Sequence, residues 1–367
     1  MAREHTIDLG ELAIQAFEKV VREDLKRVNI VIAGRSGVGK STLINAVFQG
    51  NMAETGQGRP ITQSTTEYTK EGLPLSVLDT RGLEMEQYQR TLESLEKLVV
   101  ERRNDSDIER QPHVAWICIS EESRRVEEGE SRLAEMFARH ALPVVGVITK
   151  ARNDQGFSHS VRSLMPTARN VVRVRALAEV DEEGNRLEQK GLAELIELTS
   201  TLVPEAQRTA FAAVQRVNLG LKKASAHRYV VAAASAAATI GAIPIPFSDA
   251  IALVPVQVGM LAGISVAFGL QVGPGFLSTL VSSSFTGLAG TLAGRAIVGG
   301  LLKLIPGAGS IVGGAISAAT AALLTTTFGE LYIALLAKLF EANHGEAPSP
   351  ETVSAAFAQA VKDKVQR

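Results

Sequence analysis

The spacing of apolar residues changes several times along the chain, and the changes divide it into regions. Leu9, Leu12, Ala13, Ala16, Phe17, Val20, Val21 and Leu25 recur every three or four positions with charged residues between them, which predicts an amphipathic helix over residues 1–26. Between residues 27 and 204, short apolar runs alternate with longer amphipathic segments. Residues 28–33, 67–70, 75–78, 113–119, 143–149 and 171–177 read as strands, and 85–103, 126–140 and 192–202 as helices. Residues 51–66, rich in Gly, Thr and Gln, read as a mobile loop. This alternation predicts an α/β domain, a mostly parallel six-stranded sheet with helices on both faces. Residues 205–345 change character: four stretches, 230–248, 250–272, 276–294 and 304–329, are apolar all round and predict an all-α domain rich in Gly and Ala. An amphipathic helix over 346–367 closes the chain, with Val353, Ala356, Phe357, Ala360, Val361 and Val365 on one side; the two terminal helices read equally as a packed pair or as two unrelated surface helices.

Composition adds a second view of the same division. The 367 residues exceed one ordinary domain, and between Tyr229 and Gly329 the only charges are Asp249, Arg295 and Lys303. With 38 basic against 39 acidic residues the net charge is −1, so no nucleic-acid partner is indicated. The single cysteine, Cys118, lies within an apolar run and reads as a buried thiol in a reducing compartment. Residues 1–12 carry both signs of charge and no apolar core, so no secretory signal is expected.

The strongest local chemistry follows the first strand. Gly34-Arg-Ser-Gly-Val-Gly-Lys-Ser41 has the spacing G-x-x-x-x-G-K-S between a strand and a helix. Glycines there let successive N–H groups turn toward an anion, and the helix directs its partial positive end at the same point. Lys40 is then placed for β and γ phosphates and Ser41 for Mg²⁺. A second motif, Asp79-Thr-Arg-Gly82, sets an acid at the carboxyl end of a strand with glycine three residues on, where a P-loop hydrolase holds Mg²⁺ through water and meets the γ-phosphate. The charged run 123–131 reads as a solvated helix start; Arg35 and Arg81 are better placed as cations for phosphate. His113, His140 and His227 have no metal-like spacing.

These motifs in this order resemble a translation-factor-class GTPase domain of the Era-like and septin-like groups. The resemblance implies GTP/GDP and Mg²⁺ as ligands and hydrolysis of GTP to GDP and phosphate. It implies phosphate contacts from Gly34, Arg35, Ser36, Gly37, Val38, Gly39, Lys40, Ser41 and Thr42, a catalytic set of Lys40, Thr62, Asp79 and Gly82, and Mg²⁺ ligands Ser41, Thr62 and Asp79. Thr65 and Thr66 are rivals of Thr62. Leu83 stands where Ras-like domains carry a water-orienting glutamine, so turnover must use another group, a partner or dimerisation. In the guanine-reading motif, Thr149-Lys150 matches the first half, but Arg152 occupies the aspartate position. Asp154 is the substitute acid if the loop bulges, and Ala176 marks the backbone N–H that meets the guanine oxygen.

Two accounts of the apolar region compete: small residues allow close helix approach in a membrane, and equally in a tightly packed soluble bundle. Lys222, Lys223 and Arg228 suit a cytoplasmic membrane face. The blocks around Ile243-Pro-Ile-Pro-Phe-Ser-Asp249, Pro306-Gly-Ala-Gly and Thr327-Phe-Gly-Glu-Leu-Tyr resemble a C-terminal domain of unknown function in membrane-associated bacterial GTPases. The reading is therefore a GTP-hydrolysing switch in the cytoplasm, at the inner face of the cell membrane, with membrane lipid and a second copy of the chain as candidate partners. The alternatives are a low-turnover nucleotide-binding scaffold and a membrane-remodelling or pore-forming protein gated by its nucleotide domain.

Overall fold

The computed structural model describes residues 11, 15, 18–20, 25–50, 52, 57–60, 65–80, 88–181, 183–241, 249–270, 276, 280 and 318–366. It forms two compact units, Lys26–Asn218 and Met1–Leu25 with Leu219–Arg367.

The first unit is built on a sheet of β1 (Val28–Ala33), β2 (Gln57–Pro60), β3 (Thr65–Thr69), β4 (Leu75–Thr80), β5 (Val114–Ser120), β6 (Val144–Thr149) and β7 (Asn170–Arg173). Their order is β2-β3-β4-β1-β5-β6-β7. Strands β4, β1, β5, β6 and β7 run parallel, and β3 and β2 continue the sheet antiparallel. Every position of β1, β4, β5 and β6 is buried, as expected of strands covered on both faces, which explains why they read as continuous apolar runs rather than alternating ones. The helices are α1 (Lys40–Val47), α2 (Tyr88–Arg103), α3 (Glu128–Arg139), α4 (Phe157–Leu164), α5 (Leu192–Leu202) and α6 (Glu205–Val214). Leu95, Val99, Leu133 and Phe137 pack with Ile117 and Ile148 in one core cluster. Elsewhere Trp116 stacks on Phe48 at 5.9 Å and donates to Thr199 Oγ1 at 3.1 Å, tying β5 to α5.

The predicted parallel sheet is present, with one strand more than expected. β2 lies within the segment read as a loop, because Gln-Gly-Arg-Pro has no apolar run to announce it and only pairing with β3 makes it a strand. Helices α4 and α6 and a small antiparallel hairpin, β8 (Glu179–Val180) with β9 (Arg186–Leu187), also went unread. Residues 85–87, predicted as helical, lie outside the described residues.

Helix α6 follows the expected boundary at 204/205, and its contacts group it with the sheet. Gln49 N–H donates to Val214 O at 3.0 Å, Gln49 Nε2 to Ala213 O at 2.8 Å, and Arg216 N–H to Val47 O at 2.8 Å. Residues 205–218 thus belong with the sheet, bonded to the end of α1, and the second unit begins at Leu219.

That unit contains α7 (Leu219–Gly241), α8 (Asp249–Ala267), α9 (Ala318–Ala342) and α10 (Pro350–Gln366). Its core includes Met260, Ile264, Phe268, Tyr332, Leu336, Phe340, Val353 and Phe357, with Tyr332 and Phe357 4.7 Å apart. Small residues set the helix contacts: a Cβ at Gly329 would lie 2.7 Å from Val230 Cγ2 and 2.8 Å from Met260 Sδ. Val20 and Leu25 pack against the cluster that holds Val353, Phe357 and Val361, so both chain ends meet one core. Much of stretches 276–294 and 304–317 lies outside the described residues. Helix α9 runs on to Ala342, past the predicted end at Gly329, because Tyr332, Leu336 and Phe340 continue its buried face. At 25 residues, with a mean hydropathy of 1.4 over its most apolar window, α9 is the one helix among the described residues long and apolar enough to cross a bilayer, and 44% of that window is buried in the fold.

Lys222 departs from the reading that placed it at a membrane face. Its side chain is buried, Nζ donates to Phe268 O at 3.1 Å just beyond α8, and it lies 5.1 Å from the Phe340 ring centroid. Lys223 and Arg228 remain exposed.

Candidate functional site

Where β1 ends, Gly34 takes φ +155°, and a Cβ there would stand 2.5 Å from Cys118 O. Only glycine lets the chain leave β1 this close to β5. Gly37 has φ +75°, in the left-handed region, and no heavy atom lies within 4 Å of the place its Cβ would occupy. Helix α1 then starts at Gly39 with no side-chain cap and no acid in its first turn, leaving its first N–H groups to an anion. Lys40, 7% exposed, folds back so that Nζ donates to Gly34 O at 2.7 Å and Arg35 O at 3.0 Å. Ser41 and Thr42 are exposed on the first turn.

Asp79 stands next to last in β4, 1% exposed and opposite Ile32 in the parallel register. Thr80 Oγ1 donates to Ile32 O at 2.9 Å and fixes β4 against β1 at the point where the loop leaves. Lys40 and Asp79 flank Cys118: burial pushes its thiol up to about 12, Lys40 opposes the shift and Asp79 adds to it. Across the antiparallel pairing Thr66 stands opposite Asp79 and Thr65 opposite Thr80. An open glycine cradle, an uncapped helix start, an ammonium within the loop and a buried carboxylate on the neighbouring strand fit a phosphate chain with Mg²⁺. Thr62, Arg81, Gly82 and Leu83 lie outside the described residues.

Arg35 is held by Glu127, Nη1 to Oε1 at 3.3 Å. Glu127 begins α3 in a reciprocal cap, its N–H donating to Glu130 Oε2 at 2.5 Å. Burial pushes the Glu130 carboxyl up to about 7, against the pull of the Glu127 N–H and Arg35. The run read as a solvated helix start therefore also serves the phosphate loop; the Glu127–Glu130 spacing was its signal.

At the other end of the site, Thr149 Oγ1 donates to Val38 O at 2.5 Å and Ile119 O at 3.2 Å, fastening the end of β6 to the phosphate loop. Lys150, φ +52°, pairs with Glu122 at 2.9 Å. The next residues lie along the segment that carries Ala176: Ala151 N–H donates to Val174 O at 3.1 Å and Arg175 Nε to Ala151 O at 2.9 Å. Arg152 grips Glu179 Oε2 with Nε at 3.1 Å and Nη2 at 2.9 Å.

Asp154 is brought near this end but given other work. Its Oδ1 accepts from Ser158 N–H at 2.9 Å and lies 3.3 Å from Arg173 Nε, while Oδ2 accepts from Ser158 Oγ at 2.7 Å. Both oxygens hold the first turn of α4 and so already have partners in this structure. Asp154→Ala should cost about 1 kcal/mol of stability as other lost helix caps do, with the preference for GTP over ATP unchanged in competition binding. No group of three His, Cys, Asp or Glu side chains able to hold a metal occurs among the described residues.

Residues 29–150 match the family described as 50S ribosome-binding GTPase, and residues 206–363 the family described as Domain of unknown function (DUF697). The tRNA modification GTPase MnmE of Cupriavidus pinatubonensis is 34% identical over 105 residues, 27% of this chain and 20% of that protein. Ribosome biogenesis GTPase A of Bacillus licheniformis is 37% identical over 75 residues, 20% of this chain. The chain thus spans 20% and 26% of the length of these curated relatives. Among solved structures, Aquifex aeolicus Era aligns at 16% identity and TM-score 0.31 over 57% of this chain and 67% of that one. The G domain of the T. maritima FeoB iron transporter aligns at 15% identity and TM-score 0.30 over 48% and 98%. With the phosphate loop, Asp79 and the sheet order in place, residues 29–150 have the fold of a P-loop GTPase domain and match the model of the ribosome-binding GTPase family, and residues 206–363 match that of the DUF697 family.

Proposed function

We propose that this protein binds GTP and hydrolyses it to GDP and phosphate, and that the nucleotide state is passed to its helical unit. The observation that carries the reading is the phosphate loop itself, with Lys40 folded into it and Asp79 buried beside it. On binding, the Lys40 ammonium exchanges the carbonyls of Gly34 and Arg35 for β and γ phosphate oxygens, and the first N–H groups of α1 meet the same anion. Ser41 and Asp79, with Thr62, would hold Mg²⁺, which when bound neutralises charge on the phosphate oxygens. Leu83 has no group to orient water, so hydrolysis depends on another residue or a partner, such as a second copy of the chain. The output is argued from connectivity: the far end of α1 is bonded to residues 213–216, which lead directly into α7. A membrane is the proposed place of action, supported by the length and apolarity of α9.

Titration with labelled GTP and ATP, with and without Mg²⁺, and phosphate release test the reading. GTP should bind in preference and be turned over slowly; binding of neither nucleotide would end it. Asp79→Asn should remove the Mg²⁺-dependent gain in affinity while leaving Mg²⁺-free GDP binding near the parent's. Flotation with anionic liposomes tests the membrane arm, and a protein that stays at the bottom of the gradient counts against it.

A further inference from the structure

The residue that should accept the guanine N–H groups is missing from its expected position, where Arg152 stands. Among the described residues, four acids near the gap bear on the choice. Glu121 is 3% exposed, its Oε1 taken by Arg173 Nε at 2.8 Å and its Oε2 by the Arg152 N–H. Glu122 holds Lys150, and Asp154 caps α4 with both oxygens. Glu122 and Glu179 each use a single oxygen, Oε2, but Glu179 alone is held by Arg152 at the departed position and stands on the segment that carries Ala176. A carboxylate offers about four acceptor positions, so Oε1 keeps two, as many as the guanine N1–H and N2–H groups require.

We propose that Glu179, carried by the β8–β9 hairpin, is the carboxylate that reads guanine in this protein, with Arg152 as the residue that positions it. The inference rests on the GTPase reading above and names the specificity residue of that site. Glu179 lies three residues beyond Ala176 on the segment that lines up with Lys150–Arg152. The acid and the backbone N–H beside Ala176 thus come from one loop rather than two. That loop is braced locally. Gln189 Nε2 donates to Ala176 O at 2.7 Å, and Arg175 and Lys190 exchange backbone bonds at 2.9 and 3.1 Å. The hairpin turn is closed by Asp181, whose Oδ1 accepts from the N–H groups of Glu183 at 3.0 Å and Asn185 at 2.7 Å. Two bonds from Arg152 tether the Glu179 carboxylate by Oε2 and leave Oε1 to a ligand, which gives the departure at position 152 a purpose.

The test is competition binding of GTP, ATP and XTP to the full chain, comparing the parent with Glu179→Gln and Asp154→Asn. Glu179→Gln sets an amide N–H against the guanine donors and should weaken GTP roughly 10- to 100-fold relative to ATP. The same amide should favour XTP, whose C2 carbonyl oxygen accepts where the guanine 2-amino group donates. Asp154→Asn should keep the parent's ratios. A Glu179→Gln protein with the parent's GTP:ATP:XTP ratios, or one that loses all three equally, overturns the assignment. The two readings separate in the parent: if it prefers GTP while Glu179→Gln changes nothing, only Glu179 is dismissed. A parent that binds neither GTP nor ATP dismisses both.

Discussion

Lys40→Ala should weaken GTP and GDP binding on the order of a hundredfold or more, since charge-assisted bonds to phosphate contribute about 1.5–3 kcal/mol each and this side chain is placed to make two. The fold should survive. Lys40 Nζ donates to the carbonyls of Gly34 and Arg35, both within its own loop, so its loss removes no bond between elements. Trp116, the single tryptophan, is buried in the same unit, so its emission reports whether the unit remains folded. Nucleotide affinity measured by calorimetry on a variant with parent-like emission isolates the phosphate contacts. Binding equal to the parent's would remove the loop from the site.

Lys222→Met should stabilise the helical unit, by about 1–4 kcal/mol if it behaves as other buried charged groups replaced by apolar ones do. Burial holds the Lys222 amine well below its ordinary value, and Glu346 only partly opposes this. The direction of the pH dependence follows. An unfolded lysine titrates near 10.4, so between the lowered folded value and that point the unfolded chain carries a proton the folded chain does not. Stability should therefore rise as pH rises through that window, by up to about 1.4 kcal/mol per pH unit from this group. It should fall off toward neutral pH. The methionine variant keeps the stem against Phe340 and loses the titration. Urea unfolding followed by far-UV circular dichroism at pH 7 and pH 9, with Trp116 emission marking the other unit, reads both effects. A variant less stable than the parent at both pH values would mean that the bond to Phe268 O outweighs the cost of burying the amine.

How much could be read from the chain depended on how local each cause was. β1, the glycine loop and α1 are contiguous, and each is set by residues within the motif: an apolar run that must be buried on both faces, glycines at φ +75° and +97°, and a helix start without a competing acid. Asp79 was legible for the same reason, as an acid closing an apolar strand. By contrast β2 is polar throughout, and it becomes a strand only because β3 supplies partners. Asp154 illustrates the limit at the site. Its position in the sequence suited the base, but a helix start three residues later offered Ser158 as a nearer partner.

The apolar region shows the same division between local and distant causes. Its composition alone established that the helices are buried in something, because a helix apolar on all sides exposes too much surface to remain in water. It did not determine which neighbours bury them. That was decided by contacts such as Gly329 beneath Val230 and Met260, and Lys222 between Phe268 O and Phe340. The division between units likewise fell at 218/219, because hydrogen bonds from 47–49 reach 213–216 across more than 160 residues of chain. Sequence by itself determined the phosphate-binding chemistry, the parallel sheet and the existence of an apolar helical unit, all consequences of period and short-range spacing. Tertiary structure alone decided the seventh strand, the partner of Arg152 and the burial of Lys222, because each depends on which distant segment supplies the other half of the bond.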